Sequence, residues 1–254
     1  MNTPSNSNIS SRAPRAALVT GAGRGLGAAL AEELARRGVA VVLVSRTSAE
    51  VEAVAARIRA AGGTAHALAF DVADKDAIHR VAALAADKVG PLDILVHNAS
   101  SLGPLPMPIL LDTECEDFSA VLETNLVGPL RLTKALGGKM VLDGRGTIVF
   151  VSSDAAVSAY PNWGAYGVSK AAADHLARTL AAELDGQGVR VFSFDPGEMD
   201  TAMHRAALPD ADPTTLERPE RVARLLATLI LDDSTLASGA RAVASDHFAR
   251  EEAA

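Results

Sequence analysis

One cysteine, Cys115, stands in 254 residues, so an internal disulfide is excluded and the composition suits a reducing compartment. Long hydrophobic runs are missing as well. Stretches such as Val39 to Val44 fall far short of the ~18 apolar residues that cross a bilayer, and no membrane association is expected. Basic charge is scarce: the net charge is −7 and Lys and Arg are scattered, which argues against nucleic acid or an anionic surface as partner. Aromatic residues make up 4%, with one Trp and two Tyr. The six histidines show no paired ligand spacing, and no metal is expected. Met1 to Ser11 is polar and lacks the apolar segment of a secretory signal, so a cytoplasmic protein with a small-molecule partner is expected.

What the chain does have is an alternation of apolar, β-branched runs with Ala/Leu/Arg-rich amphipathic segments, the pattern of repeated βαβ units. Strands are predicted near 16–20, 39–45, 65–70, 92–97, 146–152, 189–194 and 240–244, and helices over 25–37, 49–61, 75–88, 114–137, 163–185 and 218–231. Most of these strands are continuous apolar runs, which requires a sheet covered on both faces and therefore mostly parallel. The expected fold is a single α/β domain over 14–247, Rossmann-like and doubly wound, with seven strands and helices on both faces. Residues 1–13 and 248–254 are expected to be tails. The segment 199–219, broken by Pro209, Pro213 and Pro219, reads as a lid over the site.

The first strand runs into Thr20-Gly21-Ala22-Gly23-Arg24-Gly25-Leu26-Gly27 and then a helix. Glycines there let the backbone turn tightly and approach a pyrophosphate, while the helix start offers free N–H groups. A dinucleotide is the expected ligand. The second strand ends Val44-Ser45-Arg46-Thr47 with no carboxylate for the ribose hydroxyls; Arg46, helped by Ser45, Thr47 and Arg24, would instead pair with a 2′-phosphate. NADP(H) is therefore expected ahead of NAD(H). Asp71-Val72 follows the third strand, where Asp71 could meet the adenine or start a helix. The fourth strand ends His97-Asn98-Ala99-Ser100, bringing Asn98 and Ala99 to the crevice, with His97 read as structural because no acidic orienter is evident.

A third group lies further on. Tyr166 and Lys170 are four apart on a predicted helix, so they share a face. A unit charge about 4 Å away is worth roughly 4 kcal/mol at an effective dielectric near 20, which would favour the phenolate and let Tyr166 exchange a proton near neutrality. Ser153 ends the apolar run Gly146 to Val151, and its hydroxyl could hold the same substrate oxygen. Asp154, Trp163, Glu198 and Met199, with Leu102 and Pro104, are candidate substrate walls.

From Ala16 to about Val243 these motifs resemble the short-chain dehydrogenase/reductase family. The glycine turn is similar to its TGxxxGxG segment, His97 to Ser100 to its NNAG, and Ser153, Tyr166 and Lys170 to its Ser-Tyr-xxx-Lys site. The resemblance implies an NADP-dependent reduction of a ketone or aldehyde, with Lys170 also binding the nicotinamide ribose. It further implies that Asn125 holds a water in a proton relay, that Pro196, Gly197 and Thr201 close over the cofactor, and that the protein is a homotetramer or homodimer. Three departures stand out: Ser100 for the usual glycine, Asp195 where a neutral residue is common, and no DGG ending in the run from Ala240 to His247. Two other classes are weighed: a non-catalytic NADP(H)-sensing regulatory protein, against which the complete Ser153-Tyr166-Lys170 set argues, and an isomerase or dehydratase, whose relatives carry a larger C-terminal domain.

Overall fold

The computed structural model of the chain describes residues 15–232 and 236–252; the tail expected over 1–13 lies outside the described residues. Seven runs form strands: β1 (Ala16–Thr20), β2 (Ala40–Ser45), β3 (Ala65–Ala69), β4 (Ile94–His97), β5 (Gly146–Val151), β6 (Val189–Asp195) and β7 (Arg241–Val243). They make one sheet in the order β3-β2-β1-β4-β5-β6-β7 with every pairing parallel. Strands β1 and β5 are buried at every position, which is why their sequences show no alternation with polar residues.

Helices cover both faces. On one side α1 (Gly25–Arg36), α2 (Ser48–Ala60), α8 (Pro219–Leu231) and α9 (Ala244–Glu252) set Leu30, Leu34, Val54 and Leu226 against Val19, Leu43 and Phe192. On the other, α3 (Ile78–Val89), α5 (Gly128–Leu142) and α6 (Gly164–Glu183) set Leu132, Met140, Ala173 and Ala177 against Leu18, Leu95 and Ile148. The small residues of α6 thus bring its backbone close to the sheet. Among the described residues no helix is long and apolar enough to cross a membrane.

The structure departs from the expected elements in four places. The helix expected over 114–137 is α4 (Cys115–Leu122), a π turn (Glu123–Val127) and then α5, reaching Leu142. Pro129 is the cause: it has no N–H to give the Asn125 carbonyl four residues back, so the ladder widens before it. Helix α3 starts at Ile78 rather than 75, because the Asp71 and Asp74 carboxylates accept from Ala73 and Asp76 N–H groups and hold the chain in turns. At the C-terminal end α9 runs to Glu252, into the stretch expected as a tail; Phe248 is buried and carries the Arg221 guanidinium 4.0 Å above its ring. The proline-broken segment is closed on itself by a parallel bridge between Met199 and Glu217, with α7 (Ala202–Ala207) and a short turn at Pro213–Thr215 between them.

Candidate active site

The strand order reverses between β1 and β4, so the crevice above their C-terminal ends lies open to a ligand. The glycine turn builds its floor. Gly21 has φ +64° and Gly25 +55°, and a β-carbon on Gly27 would lie 2.4 Å from the Gly21 carbonyl oxygen. Ala there should therefore destabilise the fold by about 1–3 kcal/mol and weaken nucleotide binding, as thermal unfolding and calorimetric titration would read. Asn98, expected to face the cofactor, lines the cavity but spends its amide on the turn: Nδ2 donates to the Thr20 and Gly21 carbonyls at 3.0 and 3.2 Å. The Thr20 hydroxyl in turn accepts from the Asn98 and Ala99 N–H groups, fastening β1 to β4.

One cavity of about 670 Å³ runs from this turn to α6. Every residue assigned above to cofactor or substrate lines it except Gly27, which lies beneath the turn, and Pro104; Asn125 does not line it either. At the end beside the glycine turn Arg46 is largely exposed, with Nη1 3.8 Å from Asp71, and Arg24 Nη1 is 3.9 Å from Glu50. Glu50 was not anticipated. It stands in the first turn of α2 rather than at the end of β2, and it brings a carboxylate to the region that lacked one by sequence.

At the other end β5 delivers Ser153 and α6 delivers Tyr166 and Lys170. The Ser153 hydroxyl donates to Asp154 Oδ1 at 2.9 Å and accepts from Ala155 N–H at 3.2 Å, and the Tyr160 hydroxyl donates to Asp154 Oδ2 at 2.8 Å. Gly167 lets α6 approach, since a β-carbon there would lie 2.9 Å from the Ala155 carbonyl oxygen. Tyr166 is buried, with Trp163 edge-on at 5.7 Å. Lys170 is buried too; its Nζ donates to the Val151 carbonyl at 2.8 Å and stands 5.4 Å from the Tyr166 ring centroid.

The expected downward pull on the Tyr166 phenol is not found in the protein alone. Burial pushes it up to about 12; hydrogen bonds from Ser153 and Ser100 oppose this, while the Asp195 and Asp154 carboxylates add to it. Desolvation decides the direction, and helical spacing supplied only the proximity of the cation, not the depth at which the fold buries the ring. Burial likewise brings Lys170 down to about 8, against the raising influence of Asp174 and Asp195.

Asn125 sits in the π turn with its amide fully used. Nδ2 donates to the Ser101 carbonyl and the Ser169 hydroxyl, both at 2.9 Å, and Oδ1 accepts from Ser101 N–H at 2.7 Å and the Ser100 hydroxyl at 3.2 Å. A water held by this residue must use its main-chain carbonyl, which Pro129 leaves without an i+4 donor. His97 fits its structural reading: Nε2 is 2.8 Å from the Thr133 hydroxyl, its ring packs on Phe150, and burial lowers its pKa to about 3, keeping it neutral.

Two charged residues behind the site were not anticipated. Asp174 continues the Tyr166–Lys170 row by one more turn of α6, and Arg241 on β7 reaches it with Nε at 3.0 Å. The same guanidinium places Nη2 2.7 Å from Asp195 and 2.9 Å from the Ser153 carbonyl oxygen. Over the cavity, the Thr201 hydroxyl accepts the His204 N–H and starts α7, and the Thr201 methyl lies against Gly25, 3.4 Å from where a β-carbon would be.

Comparison with known proteins finds relatives of the whole fold. A family model described as short chain dehydrogenase matches residues 15–212. Short-chain reductase protein NovJ of Streptomyces niveus is 41% identical over 189 residues, covering 74% of this chain and 70% of that protein. Among solved structures, a 7α-hydroxysteroid dehydrogenase complexed with NADH and 7-oxoglycochenodeoxycholic acid superposes with TM-score 0.83 at 29% identity, covering 91% of this chain and 92% of the other. A metagenomic short-chain oxidoreductase in complex with NADP gives TM-score 0.76 at 31% identity, covering 90% and 97%.

Proposed function

Since the chain belongs to the short-chain dehydrogenase/reductase family and is an oxidoreductase of CH–OH and C=O groups, we propose that it reduces a ketone or aldehyde to an alcohol with NADPH as donor. The observation that carries this reading is the convergence of Ser153, Tyr166 and Lys170 on the cavity whose far end is the glycine turn. The nucleotide end fits a dinucleotide: Gly21 and Gly27 leave backbone where a side chain would stand, and the start of α1 presents N–H groups to a pyrophosphate. Arg46 and Arg24, with Ser45 and Thr47, supply donors for a 2′-phosphate, and Asp71 and Val72 flank the adenine. Pro196, Gly197 and Thr201 close the other side.

A bound reduced nicotinamide supplies the hydride. The chain's own part is to hold and protonate. The Ser153 hydroxyl turns from Asp154 to the substrate oxygen, and Tyr166 Oη gives that oxygen its proton as negative charge grows there. Lys170, fixed on the Val151 carbonyl, keeps a positive charge beside the phenol and reaches the nicotinamide ribose. Asn125 holds a relay water through its main-chain carbonyl. Asp154, Trp163, Glu198 and Met199 form the walls of the substrate end. The proposed assembly is a homodimer or homotetramer in the cytoplasm, whose interface would cover the exposed Val168 on α6 and Leu142 at the end of α5.

Purified protein incubated with NADPH and a panel of aliphatic, aromatic, bicyclic and acyl-thioester ketones should consume the nucleotide with at least one of them. Tight NADPH binding without turnover on any would instead support a nucleotide sensor. Arg46→Asp should lower kcat/KM for NADPH about tenfold to a hundredfold and invert the preference, since charge-assisted bonds to the phosphate are replaced by repulsion. An unchanged NADPH/NADH efficiency ratio would remove Arg46 from phosphate recognition and shift attention to Glu50.

A further inference from the structure

Two departures from the family pattern, Asp195 and the altered C-terminal run, are partners in space. Arg241 of that run bonds Asp195 at 2.7 Å and Asp174 at 3.0 Å, and the same guanidinium donates to the Ser153 main-chain carbonyl. Both carboxylates are almost wholly buried, and the arginine is one-fifth exposed. The groups around Lys170 are Tyr166 and Asp174 from its own helix, Asp195 from β6 and Arg241 from β7, while β5 offers the Val151 carbonyl and the π turn the neutral Asn125 by way of Ser169. One buried and one partly buried cation thus face two buried carboxylates. Asp195 Oδ1 also accepts the Gly197 N–H, tying the cluster to the segment over the nicotinamide end. Asp174 Oδ1 is buried without a hydrogen-bond partner among the described residues. A single guanidinium fork spans three oxygen atoms, in the turn after β5, on β6 and on α6, which an ammonium could not do with the same geometry.

We infer that Arg241 is a positioning residue for the reaction: it fixes the main chain of Ser153 and balances the two buried carboxylates that flank Lys170. The inference rests on the roles given above to Ser153, Tyr166 and Lys170. Without the guanidinium, two uncompensated carboxylates would hold the Lys170 proton more tightly and oppose a phenolate at Tyr166, and the Ser153 loop would lose its anchor.

The test uses Arg241→Met, Arg241→Lys and the double variant Arg241→Met/Asp195→Asn, each checked for folding by circular dichroism. Protein carrying 13Cε-lysine is titrated by NMR, with Lys170→Arg identifying the signal, and kcat is followed against pH on the best ketone of the panel. In the wild type Lys170 should titrate near its lowered value of about 8. The Met variant should move that midpoint up by about one unit and lower kcat about tenfold with KM little changed. The Lys variant should keep the midpoint near wild type while losing part of kcat, because charge is kept and the fork is lost. In the double variant one anion leaves with the cation, so the midpoint should return toward wild type. A folded Met variant whose Lys170 titrates unchanged would overturn the inference, as would a midpoint that fails to return in the double variant if the Met variant does not fold. If no ketone is turned over, the carbonyl-reductase reading fails, and the lysine titration still decides the charge balance.

Discussion

Tyr166→Phe should reduce carbonyl-reduction kcat by about 10²–10⁴-fold, the range for a positioned proton donor, while NADPH affinity stays unchanged. The substitution removes one oxygen and keeps the ring that packs edge-on to Trp163, so the fold should persist. Stopped-flow or steady-state nucleotide consumption gives the first quantity and calorimetry the second; full turnover in the variant would end the proton-transfer assignment. The pH dependence has a definite sign. A phenol held up toward 12 by burial is protonated throughout the neutral range, which is the form that donates. Reduction should therefore be flat from pH 6 to 7 and decline as Lys170 loses its charge near 8, whereas alcohol oxidation, which needs the phenolate, should climb with pH. This asymmetry favours reduction as the direction at neutral pH.

Ser153→Ala should cost about 10²–10³-fold in kcat, comparable to removing one donor from an oxyanion site. Here the variant also loses a local bond, since the Ser153 hydroxyl accepts the Ala155 N–H, and about 1 kcal/mol of stability should go with it. Ser153→Thr separates the two effects. It keeps a hydroxyl, so it should recover activity over Ala if the oxygen acts on substrate. Equal kcat in Ala and Thr variants, each with lowered thermal stability, would make the residue a turn-former only.

Local spacing made much of this site legible. Tyr166 and Lys170 could be put on one helix face because the i, i+4 rule needs no knowledge of the rest of the chain, and the glycine turn could be placed because a strand and a helix bracket it. The direction of the Tyr166 shift could not be read, because it is decided by how completely the fold buries the ring. Glu50 escaped notice by standing one turn into α2 instead of at the strand end. The π turn carried a local signal in Gly128-Pro129, which the smooth apolar pattern on either side concealed. Arg241 and Asp174 are 67 positions apart, and only the docking of β7 beside β6 makes them neighbours; the i+4 step from Lys170 to Asp174 was the one trace of that pairing in the sequence.

The bridge between Met199 and Glu217 and the methyl of Thr201 resting near Gly25 bear on traffic through the cavity. The proline-broken segment reaches both halves of it, with Thr201 resting by the glycine turn and Met199 standing in the lining with Trp163 and Asp154, so a movement of that one segment would alter both at once.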